Sequence, residues 1–128
     1  MPTGKALEFC VAGRPVGKER PRVTKFGTTY TPKRTVRFEA QVRQAALLAK
    51  IRKLRDGVGM PKSPYKVEIR IMWQDKRHPD IDNVAKAILD GMNKVAYDDD
   101  AEVTQLDVAV LGTDKHGAGV GVRIMEAS

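Results

Sequence analysis

Two acidic groups bracket one stretch of helical periodicity in this chain. Asp80 and Asp82 stand at its mouth, within Pro79-Asp80-Ile81-Asp82-Asn83, and Asp98, Asp99 and Asp100 follow its end. With Asp90 between them, six aspartates fall in residues 80–100 of a chain whose net charge is +7. Gathered carboxylates repel one another and gain nothing unless a cation intervenes. Mg2+ suits such donors, because it takes one or two carboxylates together with waters and substrate phosphate oxygens. Held there, it would let an acidic pocket accept a polyanion, activate water and polarise a phosphate. Asp82, Lys86 and Asp90 recur every four residues and so share one helix face. From that face the Lys86 ammonium could steady developing negative charge.

Each residue also has an ordinary reading. Asp82 suits a helix N-cap, Asp80 a Pro-Asp turn, Lys86 an i, i+4 ion pair, and residues 98–100 a solvated loop. Taken together, the two acidic groups and the lysine favour a site over four unrelated features. A calcium loop does not fit, since the third ligand, the glycine and the closing glutamate of an EF-hand are missing.

Composition narrows the partners. Residues 1–55 hold 14 Lys/Arg against 3 Glu, a net of +11, and residues 56–128 hold 9 Lys/Arg against 13 Asp/Glu, a net of −4. A basic first half beside an acidic second half suggests a nucleic-acid surface next to a metal site. No apolar run approaches the roughly 18 residues of a membrane span, and no secretory pattern opens the chain. One cysteine, Cys10, excludes an internal disulfide, and no Cys/His spacing resembles a zinc site. The expectation is a single domain over residues 1–128, cytoplasmic, without a membrane partner.

The elements that must position these groups follow from periodicity. Leu7, Phe9 and Val11 alternate with Glu8, Cys10 and Ala12 as a first strand, and Val23 to Tyr30 reads as a short hairpin. Thr31-Pro32 opens a helix with Thr31 as N-cap and Pro32 at the first position. Phe38, Val42, Ala45 and Ala49, widened by Leu48 and Ile51, stripe that helix to about Arg55. Tyr65 to Trp73 is the clearest strand, with Val67, Ile69, Ile71 and Trp73 on one face. Val84, Ile88, Met92 and Val95 stripe the second helix. Strands over Val103–Leu111 and Val120–Met125, joined by a turn near His116, complete the order. This predicts an α+β fold: one mixed sheet with two main helices packed in a second layer. For Asp100 to reach Asp80 the chain must fold back, which a strand pairing beside Tyr65–Trp73 would allow.

Pro79-Asp80-Ile81-Asp82-Asn83, Lys86, Asp90 and then Asp99-Asp100-Ala101-Glu102-Val103 resemble the motif of the RusA family of Holliday junction resolvases. The early Gly13-Arg14-Pro15, with Lys18, Arg20, Pro21 and Arg22, is similar to that family's basic N-terminal motif. The resemblance spans nearly the whole chain, and its specificity lies in residues 79–103. It implies a RusA-like fold in a small, dimeric, Mg2+-dependent endodeoxyribonuclease of a kind often carried by phages and prophages, with Mn2+ able to substitute. It implies that Asp80, Asp82 and Asp100 bind metal and are essential, with Asp99 an accessory ligand and Lys86 the essential lysine. Asp98 has no counterpart. Val110 and Leu111 stand where family members often carry a lysine, so the resemblance does not carry over how that side contacts DNA, though the catalytic pattern is untouched.

The function expected is resolution of four-way DNA junctions by paired symmetric cuts, in recombination and repair, and the resemblance implies 5′-phosphate and 3′-hydroxyl ends. Two cuts related by a two-fold axis call for a C2 homodimer. Arg14, Lys18, Arg20, Arg22, Arg34 and Arg37 are the candidate phosphate contacts, with Arg77 beside the site. His78 also flanks the site and reads equally as a backbone contact or an ordinary loop histidine, and Trp73 reads as core. The alternatives are a non-catalytic junction-binding protein whose acidic pocket is vestigial, and a basic module that binds RNA or an acidic protein.

Overall fold

The computed structural model describes residues 6–30 and 32–128. Its centre is the strand that the sequence marks most clearly, β4 (Tyr65–Trp73), whose Val67, Ile69, Ile71 and Trp73 are all buried. The elements before it are β1 (Leu7–Ala12), the two-residue pair β2 (Arg22–Val23) and β3 (Thr29–Tyr30), and the helix α1 (Lys33–Arg55). After it come α2 (Ile81–Met92), a 3-10 turn at Asp100–Glu102, β5 (Val103–Thr113) and β6 (Gly119–Glu126).

Four strands form one sheet in the order β1-β6-β4-β5. β6 runs antiparallel to both β1 and β4, whereas β5 runs parallel to β4 from Tyr65↔Val103 to Trp73↔Thr113. The sheet is therefore mixed, and β4-α2-β5 is a strand–helix–strand crossover of the sort that parallel neighbours require. β2 and β3 pair only with each other.

α1 and α2 pack on each other, and α1 also packs on β1. Their buried residues, Phe38, Val42 and Ala46 on α1 and Val84, Ala85, Ala87, Ile88 and Met92 on α2, join the inward faces of β1, β4 and β6 in one core. Burying these side chains at about 1.5–3 kcal/mol each is what holds the layers together. The two-layer α+β fold agrees with the periodicity of the sequence.

Some local expectations change. Pro32 caps α1 from outside and the helix begins at Lys33; Thr31, expected as the cap, lies outside the described residues. Leu48 and Ile51 do not widen the buried stripe: they are 55% and 52% exposed. A 23-residue helix turns more surface outward than one neighbouring helix and one strand can cover. α2 ends at Met92 instead of reaching Val95, because Lys94 adopts φ +70° and turns the chain. Among the described residues no helix is long and apolar enough to cross a membrane.

Candidate active site and nucleic-acid surface

α2 starts at Ile81, with Asp80 as its N-cap in extended conformation. An aspartate there ordinarily accepts from a first-turn amide, a bond whose loss costs about 0.5–2 kcal/mol. The Asp80 carboxylate makes no such bond. Its position is that of a cap, but its side chain is left free. Asp82, in the first turn, accepts from the Asn83 amide at 3.0 Å. Both aspartates are exposed. Four residues on, the Lys86 ammonium lies 3.4 Å from Asp90 Oδ1.

The return of the chain after α2 depends on Tyr97. Its hydroxyl donates to the Leu89 carbonyl at 2.7 Å, and its own carbonyl accepts from Lys94 N–H at 2.7 Å. Its ring lies 6.0 Å from that of Tyr65. Lys50 of α1 donates to the Val95 carbonyl at 3.0 Å. Burial, reinforced by the charges of Asp100, Asp90 and Asp99, pushes the Tyr97 hydroxyl well above the ordinary phenol range, so it stays a donor. Tyr97→Phe removes one buried hydrogen bond, worth about 1 kcal/mol. The expected result is a melting temperature lower by about 3–6 °C, read by circular dichroism; an unchanged one would show that this bond does not fix the turn.

Within the acidic turn the roles separate. Asp99 accepts from the Ala101 amide at 3.0 Å, and Glu102 accepts from the amides of Asp98 and Asp99 at 3.0 and 3.2 Å, a reciprocal capping box. The Ala101 bond, with a hydrogen bond from Asp100, holds the Asp99 carboxyl below the usual range. Partial burial, the bond to Asp99, and the charges of Asp99 and Asp90 push Asp100 up, with Lys86 opposing them. Asp99 is thus occupied in building the turn, while Asp100 lies within the field of Lys86 and Asp90.

Lys86 pairs with Asp90, and the charges of both act on Asp100, which is hydrogen-bonded to Asp99; Asp82 stands one turn before Lys86 on α2, and Asp80 just before the helix. α2 has 12 residues, which at 1.5 Å per residue separate its ends by about 18 Å. Because β5 is parallel to β4, the acidic turn arrives beside Tyr65, at the end of the sheet opposite the Trp73-to-Asp80 connection. The strand expected beside β4 is present, but its direction places Asp100 near the C-terminal half of α2. Among the described residues, no three His, Cys, Asp or Glu side chains lie together closely enough to hold a metal ion. The donors fit a hard divalent ion in kind, as exposed or crowded carboxylate oxygens; within one chain they form two groups.

Basic residues frame a cleft of about 400 Å³ beside the start of α2, lined by Arg14, Lys18, Arg34, Arg77 and His78 among others. Arg14 is anchored there: its guanidinium contacts Gln74 and Asp75 at 3.2–3.3 Å and donates to the Arg77 carbonyl at 2.6 Å. Arg34 and Arg22 both pair with Glu19. Arg20, Arg37 and Arg77 are exposed. Lys18 is held between Glu39 and Asp90 instead of projecting outward. His78 stacks on the buried Trp73, with ring centroids 4.1 Å apart and planes 6° from parallel. Sequence periodicity marks Trp73 as core, as observed. It gives no sign of the stack, of Tyr97 as anchor, or of the Lys18 pairing, since all three join residues through tertiary contact.

Residues 12–125 match the family described as Endodeoxyribonuclease RusA. The chain belongs to the RusA family. This membership makes it an endodeoxyribonuclease of the group that acts on Holliday junctions. RusA nucleases generally depend on divalent metal ions, and the match spans both acidic groups, Lys86 and the basic loop. Comparison with curated proteins gave no match.

Proposed function

We propose that this RusA-family protein resolves four-way DNA junctions by paired, symmetric phosphodiester hydrolysis, in recombination and repair within the cytoplasm. The observation that carries this reading is one face of α2, on which Asp82, Lys86 and Asp90 stand in line and from which the charges of the last two act on Asp100. Asp80, Asp82 and Asp100 would hold Mg2+, or Mn2+ in its place, with Asp99 alongside. Bound there, the ion would supply an activated water and charge compensation at the scissile phosphate.

The chain's own residues have separate tasks. Lys86, 60% exposed at its side chain, offers a cation to the phosphate as negative charge builds. Asp99 and Glu102 keep the acidic turn in shape through their capping bonds. Arg14, Arg20, Arg22, Arg34, Arg37 and Arg77 would contact backbone phosphates, and the cleft gives them one rim. Paired cuts need two sites related by a two-fold axis, hence a C2 homodimer. In favour of a second copy, β5 is an edge strand with Leu106, Val110 and Leu111 exposed along it. Among the described residues Asp80, Asp82 and Asp100 do not lie together, so gathering all three on one ion calls either for movement of the acidic turn or for that second copy.

The test is a labelled four-way junction incubated with Mg2+ or with chelator, beside linear duplex of the same sequence. Symmetric nicks in opposite strands, confined to the junction and dependent on metal, are expected. Junction binding without cutting at any Mg2+ or Mn2+ concentration would favour the vestigial-pocket alternative. For the basic rim, Arg34→Ala combined with Arg77→Ala should weaken binding to all sequences alike. It should reduce the slope of log K against log salt by about 2, one for each lost phosphate contact. An unchanged slope would remove these two arginines from the interface.

A further inference from the structure

Lys18 lies in the basic loop, yet its ammonium points inward. It is 2.9 Å from Glu39 Oε2 on α1 and 3.2 Å from Asp90 Oδ2 on α2. The other Asp90 oxygen, Oδ1, receives Lys86 at 3.4 Å. The four side chains therefore form a chain, Glu39–Lys18–Asp90–Lys86, in which charges alternate and each Asp90 oxygen faces one ammonium. Glu39, Asp90 and Lys18 have side chains only 15%, 20% and 28% exposed, whereas Lys86 is 60% exposed. Three members are sheltered from salt and water, which screen exposed pairs to little effect on structure. Only the last reaches out from the protein.

The loop that brings Lys18 to this place is tightly seated. Lys18 N–H donates to the Asn83 carbonyl at 2.8 Å, and Thr35 Oγ1, fully buried, donates to the Gly17 carbonyl at 3.2 Å. A Cβ on Gly17 would stand 2.8 Å from Pro79 Cβ and 3.1 Å from Asn83 Cβ, so no other residue fits there without displacing the first turn of α2. Burial works against the charge of Lys18, but Glu39 and Asp90 outweigh it and hold its pKa above the ordinary lysine value. It remains a cation, fixed among three elements.

We propose that Lys18 and Asp90 are positioning residues for Lys86, and that Lys18 does not contact DNA. Asp90 tethers the flexible Lys86 stem along α2. Lys18 satisfies the second Asp90 oxygen, so that Asp90 holds Lys86 through one oxygen only, and offsets the negative charge of Asp90. Loss of Asp90 frees Lys86 to wander. Loss of Lys18 leaves Asp90 without its second cation and free to bind Lys86 through both oxygens, away from a phosphate. The inference rests on the nuclease reading in assigning Lys86 its task, but the ion-pair chain itself does not.

The variants are Lys18→Met, Lys18→Arg and Asp90→Asn, read in three ways. Single-turnover junction cleavage should fall roughly tenfold in Lys18→Met and Asp90→Asn, in keeping with the cost of small misplacements at reacting groups, and should recover largely in Lys18→Arg. Junction affinity and its salt slope should stay at wild-type values in Lys18→Met. A slope reduced by about 1 would mean that Lys18 touches phosphate after all, and would overturn the assignment. The third measurement needs no activity: the 15N order parameter of the Lys86 ammonium by NMR, expected to drop in Asp90→Asn and to change in Lys18→Met. Should wild type cut no junction, the nuclease reading fails while this measurement still decides whether the chain of pairs holds Lys86. Unchanged Lys86 order in both variants would sink the inference.

Discussion

Asp80→Asn, Asp82→Asn and Asp100→Asn are each expected to bind a four-way junction as wild type does, or more tightly, and to cut it roughly a hundred- to a thousandfold more slowly. Asparagine keeps the shape and one oxygen but removes the charge that a divalent ion requires. Lost charge also lessens repulsion of the DNA backbone, so binding should not suffer. The expected loss is on the scale of removing a group that stabilises charge in the transition state, about 3–4 kcal/mol. If the three carboxylates serve one ion, any double variant should be no slower than the slower single, since groups that act as a unit are not additive. Asp99→Asn provides the contrast: its carboxylate accepts the Ala101 amide, which the asparagine side-chain oxygen can also accept, so its rate should change far less.

The same variants settle where the ligands come from. Homodimers of Asp80→Asn or of Asp100→Asn are each inactive under the nuclease reading. After subunit exchange, a mixed dimer has one intact site only if Asp80 of one copy works with Asp100 of the other. Nicking that returns on mixing would show that the two acidic groups meet across the dimer. No recovery would place each site within one chain, and would then require the acidic turn to move along α2. Full activity in all three singles would end the catalytic reading altogether.

The second large effect is expected at the crossing of the two helices. An ideal Cβ on Gly91 would stand 2.9 Å from the Glu39 carbonyl oxygen and 2.9 Å from Val42 Cβ and Cγ1. In an open helix, Gly→Ala stabilises by about 0.5–1 kcal/mol. Here the neighbours are backbone and a fully buried valine, and neither can rotate aside. Overpacking of this kind costs about 1–3 kcal/mol, so the net sign is destabilising. Gly91→Ala should lower the urea midpoint, and Gly91→Val should lower it further. The damage should reach the site as well, because Glu39 and Asp90 are the residues that Lys18 bridges, and forcing α1 from α2 pulls them apart. A raised midpoint in Gly91→Ala would show that the helices have room at this crossing.

Much of this protein is set locally. The alternation in β1, β4 and β6 and the stripes on α1 and α2 each arise from one short segment burying one face, so their positions can be read residue by residue. The acidic residues and Lys86 are recognisable for the same reason: their spacing along α2 alone places Asp82, Lys86 and Asp90 on one face. What the segments do to one another is decided elsewhere. Nothing within β5 dictates that it runs parallel to β4, yet that direction brings Asp100 to Lys86 and Asp90 and leaves Asp80 at the far end of the helix. Lys18 reads as one more basic loop residue until α1 and α2 pack and present Glu39 and Asp90 together. Leu48 and Ile51 match a buried stripe in composition and stay exposed, because burial depends on what packs opposite. Residue type and spacing determine which groups can do chemistry, since both belong to a single segment. Which groups meet is a matter of distance between segments, and only the packed sheet and helices fix that.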